Sequence, residues 1–380
     1  MKPRVAMFYH SLVSDWNHGN AHFLRGIASE LQARGHEVRI FEPENSWSRQ
    51  NLLEERGSEA LAAFERAFPA LSSTRYSSEH LKLDEWLNGV DLVLVHEWNE
   101  PALVAAVGEY RRTNSKIRAL FHDTHHRALT AELELARFDL SDYDAVLAYG
   151  ASLKRAYEKL GWGRNVHVWH EAADTRVFYP READGRCGDV VWIGNWGDEE
   201  RTEELREYFL RPVERLRLRA QVYGVRYPVE AVRELSSCGI QYGGWLPNFE
   251  VPDVFAQYRA TVHVPRRPYT RDLPGIPTIR PFEAMACGIP LVSAPWRDEE
   301  NLFRVGQDFL MARDPEDMQQ KLGSVLSDRD LASSLVRSGL ETIRSRHTCG
   351  HRVDELLGIY NGLRPTVEGD RKPQREEVHA

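Results

Sequence analysis

The sequence has few cysteines, and none of them forms a pair of the kind used by metal sites. The four cysteines among its 380 residues lie far apart, at Cys187, Cys238, Cys287 and Cys349. A structural zinc site needs cysteines about two to four residues apart, and a disulfide scaffold needs many cysteines in a short chain. The cysteine pattern therefore argues against both kinds of structure and predicts a protein of the reducing cytoplasm.

Long apolar runs and an excess of positive charge are also missing. No run reaches the roughly 20 residues needed to cross a membrane, and residues 1–9 turn polar too soon for a signal peptide. The formal net charge is −8, and acidic residues outnumber basic ones in the part before Asp174. We therefore expect no transmembrane segment and no nucleic-acid partner, and the charge argues against a lipid-phosphate acceptor at a membrane surface.

The sequence does contain a repeated alternation of short apolar runs and amphipathic helical segments. Apolar runs such as 5–9 and 91–96 alternate with segments of helical spacing such as 21–33. Alternation of this kind predicts parallel sheets whose two faces are covered by helices. It occurs twice, and the charged, glycine-containing stretch 181–188 separates the two occurrences. The sequence therefore predicts an α/β protein with two Rossmann-like parallel-sheet domains.

The most informative segment is 280–293, Arg-Pro-Phe-Glu-Ala-Met-Ala-Cys-Gly-Ile-Pro-Leu-Val-Ser. Pro281 suits the first position of a helix, Gly288 suits the left-handed residue after its end, and Pro290 prevents continuation. Glu283 is then expected in the first turn, beside free N–H groups that attract phosphate. A ribose diol would give this carboxylate the hydrogen bonds it needs there. The alternative is an ordinary helix–strand unit with one exposed acid.

This segment resembles the nucleotide-sugar motif of GT-B glycosyltransferases, in which Glu-Ala-Met-Ala-x-Gly-x-Pro recurs. In that family the matching glutamate binds the ribose hydroxyls of the donor, so the resemblance assigns this role to Glu283. Arg-Gly-His-Glu-Val at 34–38 is similar to a phrase near the start of GT-B chains, and 171–180 resembles the phrase where their two domains meet. The resemblance implies two Rossmann-like domains that face each other across a cleft.

The resemblance also predicts the domain limits. We expect an acceptor-binding domain at 1–175, a nucleotide-sugar-binding domain at 176–345, a helix at 346–362 that packs back on the first domain, and a disordered tail at 363–380. Many retaining GT-B enzymes carry two glutamates separated by seven residues, but Gly275 stands where the first of them would be. The chain thus resembles the spore-maturation-protein-like branch more closely, and both retention and inversion stay open.

Candidate donor contacts lie in the loops that follow strands, where parallel α/β domains bind ligands. Glycines in these loops let the backbone approach phosphate, and arginines stabilise the charge of a departing nucleoside diphosphate. Trp245 offers a stacking face for a base, unless it is a core residue, and the arginines are alternatively surface residues in solvated loops. The predicted donor-binding residues are Glu283, Arg267, Arg201, Gly194, Asn195, Trp245, Gly275, Thr278 and Arg280.

The first half carries an unusual run of histidines, His-Asp-Thr-His-His at 122–126. Transfer to a hydroxyl requires proton removal, and the histidine pKa lies near working pH. His122-Asp123 also resembles the His-Asp pair of related transferases, so we predict both as catalytic, with Asp123 as the base if the reaction inverts. The alternatives are a metal site, although the spacing matches no metal motif, or ordinary loop histidines. The predicted acceptor-binding residues are His18, Gly19, Glu97 and His125.

These features favour a cytoplasmic glycosyltransferase that moves a sugar from a nucleoside-diphosphate sugar, preferably a UDP-sugar, to an acceptor hydroxyl or another nucleophile. The expected acceptor is a small molecule or a glycan. No cofactor is expected, because the nucleotide sugar is a substrate, and no divalent metal is expected either. The alternatives are a nucleotide-sugar epimerase or hydrolase on the same fold, a non-catalytic nucleotide-sugar binder and a metal-dependent hydrolase.

Overall fold

Two parallel sheets organise the chain in the computed structural model, which describes residues 2–363. The first sheet contains β1 (Val5–Phe8), β2 (Val38–Pro43), β3 (Thr74–Tyr76), β4 (Leu92–His96), β5 (Arg118–Asp123), β6 (Ala145–Ala148) and β7 (Val166–Val168). The second contains β8 (Val190–Ile193), β9 (Ala220–Tyr223), β10 (Gln241–Tyr242), β11 (Ala260–His263), β12 (Leu291–Ser293) and β13 (Leu310–Met311). The predicted α/β fold with two parallel-sheet domains is confirmed.

Both sheets follow the same strand order. The first runs β3-β2-β1-β4-β5-β6-β7 and the second runs β10-β9-β8-β11-β12-β13. In each sheet the order reverses beside the first strand, between β1 and β4 and between β8 and β11. Such a reversal opens a crevice at the carboxyl ends of the strands, where α/β proteins bind their ligands.

Helices cover both faces of each sheet, and each sheet with its helices is called a lobe below. The first lobe contains α1 (Ala21–Ala33), α2 (Trp47–Arg56), α3 (Glu59–Ala67), α4 (Leu83–Trp86), α5 (Pro101–Thr113), α6 (Arg127–Thr130), α7 (Glu132–Leu135) and α8 (Ala151–Leu160). The second contains α9 (Thr202–Leu205), α10 (Arg211–Leu216), α11 (Val229–Ser237), α12 (Val251–Ala256), α13 (Arg267–Arg271), α14 (Ile279–Cys287), α15 (Pro315–Ser327) and α16 (Arg329–Arg346). The last helix, α17 (Cys349–Leu363), returns to the first lobe, where Val353 and Leu356 share a core with Phe23 of α1.

The chain passes between the lobes twice, after β7 and before α17, and backbone hydrogen bonds join the two passages. The N–H of Ala173 donates to the carbonyl of His347, and the N–H of Cys349 donates to the carbonyl of Ala173, both at 3.0 Å. Gly26 of α1 packs directly against this junction: a Cβ atom there would lie 2.4 Å from Cys349 Sγ and 2.8 Å from Asp174 Cβ. The close approach therefore requires glycine at position 26.

Some elements differ from the sequence-based expectations. The edge strand β3 (Thr74–Tyr76) is not among the apolar runs that the sequence indicated, and it is held because Tyr76 is buried against Phe8 and Trp86. The predicted tail lies outside the described residues, apart from Leu363, which ends α17. Within residues 2–363, no helix combines the length and the apolar character that a membrane crossing requires.

Candidate active site

A cleft of about 750 Å³ lies between the two lobes, and residues of both lobes line it. The first lobe contributes loops that follow β1, β4, β5, β6 and β7, and the second contributes loops that follow β8, β9, β10 and β11 together with the start of α14. The lobes also touch directly across the cleft. Asn195 Nδ2 donates to Asn17 Oδ1 at 2.7 Å, and Trp245 Nε1 donates to Asp15 Oδ1 at 3.0 Å.

The start of α14 differs from the sequence-based prediction. The helix begins at Ile279, so Pro281 is its third residue rather than its first, and Glu283 is its fifth rather than a first-turn residue. Pro281 is tolerated because the third N–H of a helix also lacks an intrahelical partner. Gly288 adopts the predicted left-handed conformation at the helix end, with φ 68° and ψ 32°. The shift brings Thr278 and Arg280 to the cleft wall and places Glu283 behind it.

Glu283 is fully buried, and both of its oxygens have protein partners. Oε1 accepts from Asn248 Nδ2 at 2.9 Å and from His22 Nδ1, a first-lobe residue, at 2.7 Å, while Oε2 pairs with Arg280. His22 Nε2 accepts the N–H of Asp174 at 2.9 Å, which leaves the ring proton on Nδ1. Burial by itself would raise the pKa of Glu283, but Arg280 and His22 outweigh it and lower the pKa. The predicted ribose contact would therefore require one of these partners to move, and it stays a prediction.

Arg201 is a partly buried cation that lines the cleft and forms no ion pair with an acidic residue among the described residues. Its guanidinium donates to the carbonyls of Val264 at 3.2 Å and Asn195 at 2.9 Å, and it lies 5.0 Å from the ring centre of Trp192. Burial, followed by the positive charges of Arg266 and Arg280, lowers its pKa to about 9. The residue remains charged at neutral pH, and its surroundings do not compensate the charge. An anion in the cleft would do so.

The other two predicted arginines are placed differently from each other. Arg280 lines the cleft beside Arg201 while it pairs with Glu283. Arg267 does not line the cleft: its guanidinium donates to the carbonyls of Glu199 and Glu200 and forms an ion pair with Glu204 at 3.1 Å. Arg267 thus supports the segment that precedes Arg201, and its predicted donor contact stays a prediction.

Glycine-bearing loops of the second lobe reach the cleft as the sequence indicated, with one exception. Gly194, Asn195 and Thr278 line it. Gly224 also lines it and requires glycine, because a Cβ atom there would lie 2.1 Å from the carbonyl oxygen of Gly194. Gly275 has φ +93° but faces Glu299 and does not line the cleft, so the structure does not bring it together with the other predicted donor residues.

The predicted catalytic pair lies behind the cleft wall. His122 is fully buried at the end of β5, its two ring nitrogens have no hydrogen-bond partner among the described residues, and its ring packs against Trp169. Burial lowers its pKa to about 3, so the ring is neutral. Asp123 accepts from the N–H of His125 at 2.9 Å and from the hydroxyl of Tyr157 at 2.7 Å, and burial raises its pKa to about 6. The catalytic roles of both stay predictions.

Three of the four predicted acceptor residues line the cleft, namely His18, Gly19 and His125. Burial, followed by the charges of His126 and Arg266, lowers the pKa of His125 to about 3, and its Nδ1 has no partner among residues 2–363. Glu97 is buried behind the wall, where it pairs with Arg127. The described residues contain no group of three or more His, Cys, Asp or Glu placed to hold a metal ion, and the histidine run is thus no such group.

Sequence reasoning missed an aromatic wall and a carboxyl group in the first lobe. Trp16, Trp47 and Trp98 line the cleft after β1, β2 and β4, and the rings of Trp47 and Trp98 lie 6.1 Å apart. Glu171 lines the cleft after β7. All four follow strands, so their position was a signal that could have identified them. Residue type gave no further signal, because a cleft tryptophan and a core tryptophan look the same in a sequence.

Two parallel-sheet lobes that face each other across a ligand-sized cleft define the GT-B class of fold. The family model described as Glycosyl transferase-like matches residues 201–358, and the one described as Glycosyltransferase Family 4 matches residues 19–177. The two matches lie in different lobes and do not overlap. Together the two models match most of both lobes, and the chain is a glycosyltransferase with the GT-B fold, as the motif at 280–293 predicted.

Solved structures show the same architecture. Sucrose-phosphate synthase from Thermosynechococcus elongatus has a TM-score of 0.63 at 14% identity, with 95% of this chain and 99% of that one covered. HepE from Anabaena, in complex with UDP and glucose, has a TM-score of 0.64 at 12% identity, with 95% of this chain and 100% of that one covered. An α-glucosyltransferase in complex with UDP and a 13-mer DNA has a TM-score of 0.67 at 14% identity, with 95% of this chain and 100% of that one covered. Identities this low show a shared fold.

One sequence-based prediction is affected by these comparisons. Because one similar structure contains DNA, the exclusion of a nucleic-acid partner from net charge is not supported. No curated protein matches the chain by sequence.

Proposed function

We propose that this glycosyltransferase transfers a sugar from a UDP-sugar to an acceptor hydroxyl held by the first lobe. The observation that carries the proposal is Arg201, a partly buried guanidinium in the cleft that forms no ion pair with a carboxylate among residues 2–363. Arg266 and Arg280 line the same cleft, where each already pairs with carboxylates of the chain. Arg201 is thus the cation that is available to attract the diphosphate and to stabilise the charge that grows on it as the sugar leaves.

Features of the cleft and the ligands of similar structures both favour UDP as the nucleotide. The donor side of the cleft has the features of a phosphate site with an adjoining base pocket: the start of α14, the Gly194 and Gly224 loops, and the side chains of Trp245 and Leu246. Two of the similar structures are described with UDP bound. A thermal-shift screen of nucleoside diphosphates and their sugars tests the choice, since a ligand of the folded state raises the melting temperature. Stabilisation by ADP or GDP alone would reject UDP.

The acceptor half of the cleft favours transfer over epimerisation or hydrolysis. Trp16, Trp47 and Trp98 form a wall there, and Arg127 lies 4.1 Å from the ring centre of Trp98. A reaction of the nucleotide sugar alone would not need a second apolar surface on the opposite lobe, whereas a small-molecule or glycan acceptor would. A DNA oligonucleotide also belongs in the acceptor panel. Release of UDP only when an acceptor is present supports transfer, and release without one supports hydrolysis.

Trp98→Ala should weaken acceptor use about tenfold and leave UDP affinity unchanged, because it removes apolar contact area from the first lobe only. Steady-state kinetics with varied acceptor checks this, and Trp98→Phe, which keeps an aromatic ring, is the matched control. An equal loss of UDP affinity in Trp98→Ala would show that this wall does not belong to the acceptor.

His122→Phe tests the predicted catalytic role with the least change in packing, since an aromatic ring remains against Trp169. If His122 takes part in catalysis, turnover falls at least about tenfold, in the range of general acid–base contributions, while UDP affinity is kept. Turnover at saturating substrates and UDP calorimetry measure the two effects. Full turnover in this variant would show that His122 has no catalytic role and only packs in the core.

The cytoplasmic location and the independence of divalent metal remain part of the proposal. The four cysteines are free thiols, Cys187 being exposed, which suits a reducing compartment. Activity that persists in excess chelator is expected. Loss of activity that Mg²⁺ or Mn²⁺ restores would reject metal independence.

A further inference from the structure

Glu171 is a carboxyl group in the cleft that the proposed donor and acceptor contacts leave unused. It lies three residues after β7, and its backbone carbonyl accepts from Arg352 Nε of α17 at 3.4 Å. Only 5% of the residue is exposed, and it lines the cleft. Its carboxyl forms no hydrogen bond and no ion pair with the part of the chain that the structure describes. A carboxyl group that lines the cleft and has no partner in the protein is available to hydrogen-bond a ligand there.

The groups around Glu171 keep it uncharged. Glu283 and Arg280 act on it from α14, and the hydroxyl-bearing rings of Tyr149, after β6, and Tyr269, on α13, lie near enough for its charge to raise their pKa values. Burial, followed by the negative charge of Glu283, raises the pKa of Glu171 to about 8, against a smaller opposing effect of Arg280. Near neutral pH the group is therefore a carboxylic acid, which both donates and accepts a hydrogen bond.

Tyr149 is a second group in this part of the cleft that can hydrogen-bond a ligand. It lines the same cleft and is only 2% exposed, and its hydroxyl interacts with the neighbouring Tyr269. Two neighbouring groups that can both donate and accept suit a ligand with several hydroxyls. A phosphate would only accept hydrogen bonds, and the cleft arginines that attract it, Arg201, Arg266 and Arg280, belong to the opposite lobe.

We infer that Glu171, together with Tyr149, binds ring hydroxyls of the donor hexose. The inference rests on the proposed function, because it requires a nucleotide sugar in the cleft. Glu171 thereby becomes a specificity residue for the sugar, whereas Arg201 acts on the diphosphate. A neutral acid is also required by its position, because an ionised Glu171 would repel Glu283 and the bound diphosphate.

The test compares UDP with UDP-glucose by titration calorimetry on wild type, Glu171→Gln, Glu171→Ala and Tyr149→Phe. Glu171→Ala should bind UDP-glucose about 10- to 100-fold more weakly, as expected for a lost pair of hydrogen bonds, and UDP within about twofold of wild type. Glu171→Gln, which still donates and accepts, should keep both affinities within a few-fold. Tyr149→Phe should weaken UDP-glucose binding selectively. Glu158→Gln, an exposed residue of α8, is the matched control, and melting temperatures check folding.

The pH dependence separates a neutral from an ionised Glu171. Wild-type affinity for UDP-glucose should fall above about pH 8, approaching tenfold per pH unit, because binding then requires proton uptake. Glu171→Gln should lack this fall. A variant Glu171→Gln that binds UDP-glucose normally but loses turnover a hundredfold would overturn the inference, since the carboxylate would then act as a base.

The remaining outcomes distinguish this inference from the proposed function. If wild type binds neither UDP nor UDP-glucose, the proposed function fails. If wild type binds both and Glu171→Ala binds UDP-glucose equally well, only the role of Glu171 fails. Binding of UDP without UDP-glucose also overturns that role, because the cleft then excludes the hexose.

Discussion

Arg201→Ala is expected to weaken UDP binding by about 10- to 100-fold, the effect of removing a charged hydrogen-bond donor worth ~1.5–3 kcal/mol. Arg201 lies in the cleft and forms no ion pair with a carboxylate among residues 2–363, and burial together with the charges of Arg266 and Arg280 lowers its pKa. A diphosphate would give Arg201 the anionic partner that it lacks. Calorimetry with UDP measures the loss.

Two further variants make the Arg201 result specific. Arg201→Lys keeps the charge but loses the planar guanidinium that donates to the carbonyls of Val264 and Asn195, so it should bind UDP with intermediate affinity. Arg337→Ala removes an exposed arginine of α16 and should bind UDP like wild type. Uridine, which lacks the diphosphate, should bind Arg201→Ala and wild type equally. Wild-type UDP affinity in Arg201→Ala would reject Arg201 as the phosphate residue.

Glu283→Ala is expected to destabilise the fold and to weaken donor binding at the same time. Removing the buried carboxylate leaves Arg280, His22 and Asn248 without their partner, and breaking a buried ion pair in this way costs ~3–5 kcal/mol. If the carboxylate also binds the ribose, the free energy of UDP binding separately becomes less favourable by ~1–3 kcal/mol. A lower melting temperature and calorimetry with UDP measure the two losses.

A comparison of ligands separates the structural role of Glu283 from the ribose role. Wild type should prefer UDP over its 2′,3′-dideoxy analogue, and Glu283→Gln should lose most of this preference. An unchanged preference in the variant would leave Glu283 with a purely structural role.

Lowering the pH should also destabilise the fold through Glu283. The folded protein lowers the pKa of Glu283, so this group contributes stability above its unfolded pKa near 4.5, and the contribution is lost progressively as the pH falls from there through the folded pKa.

The architecture was predictable because it depends on patterns that are local in sequence. The apolar run at 91–96 produced β4, whose residues are all buried, and the spacing at 21–33 gave α1 at its observed bounds. Gly288 marked the end of α14 because few other residues adopt its backbone conformation. The first residue of α14 was misplaced, because Pro281 fits any position of a first turn and the sequence does not distinguish them.

The placement of individual side chains was less predictable, because it depends on contacts distant in sequence. Glu283, predicted as a ribose contact, is held by His22, more than 250 residues away, and its burial could not be predicted from neighbouring residues. The sequence predicts the same donor-binding role for Arg267 and Arg201, yet only Arg201 lines the cleft. Glu171 gave no signal, because neither its burial nor its lack of a partner follows from neighbouring residues.

The junction of the two inter-lobe passages determines how the enzyme can open. Because Ala173 is bonded to His347 and Cys349, the two strands of chain that connect the lobes cannot move independently. With Gly26 packed against them, they form a single pivot. We therefore expect substrate entry and product release to proceed by rotation of one lobe relative to the other about this point.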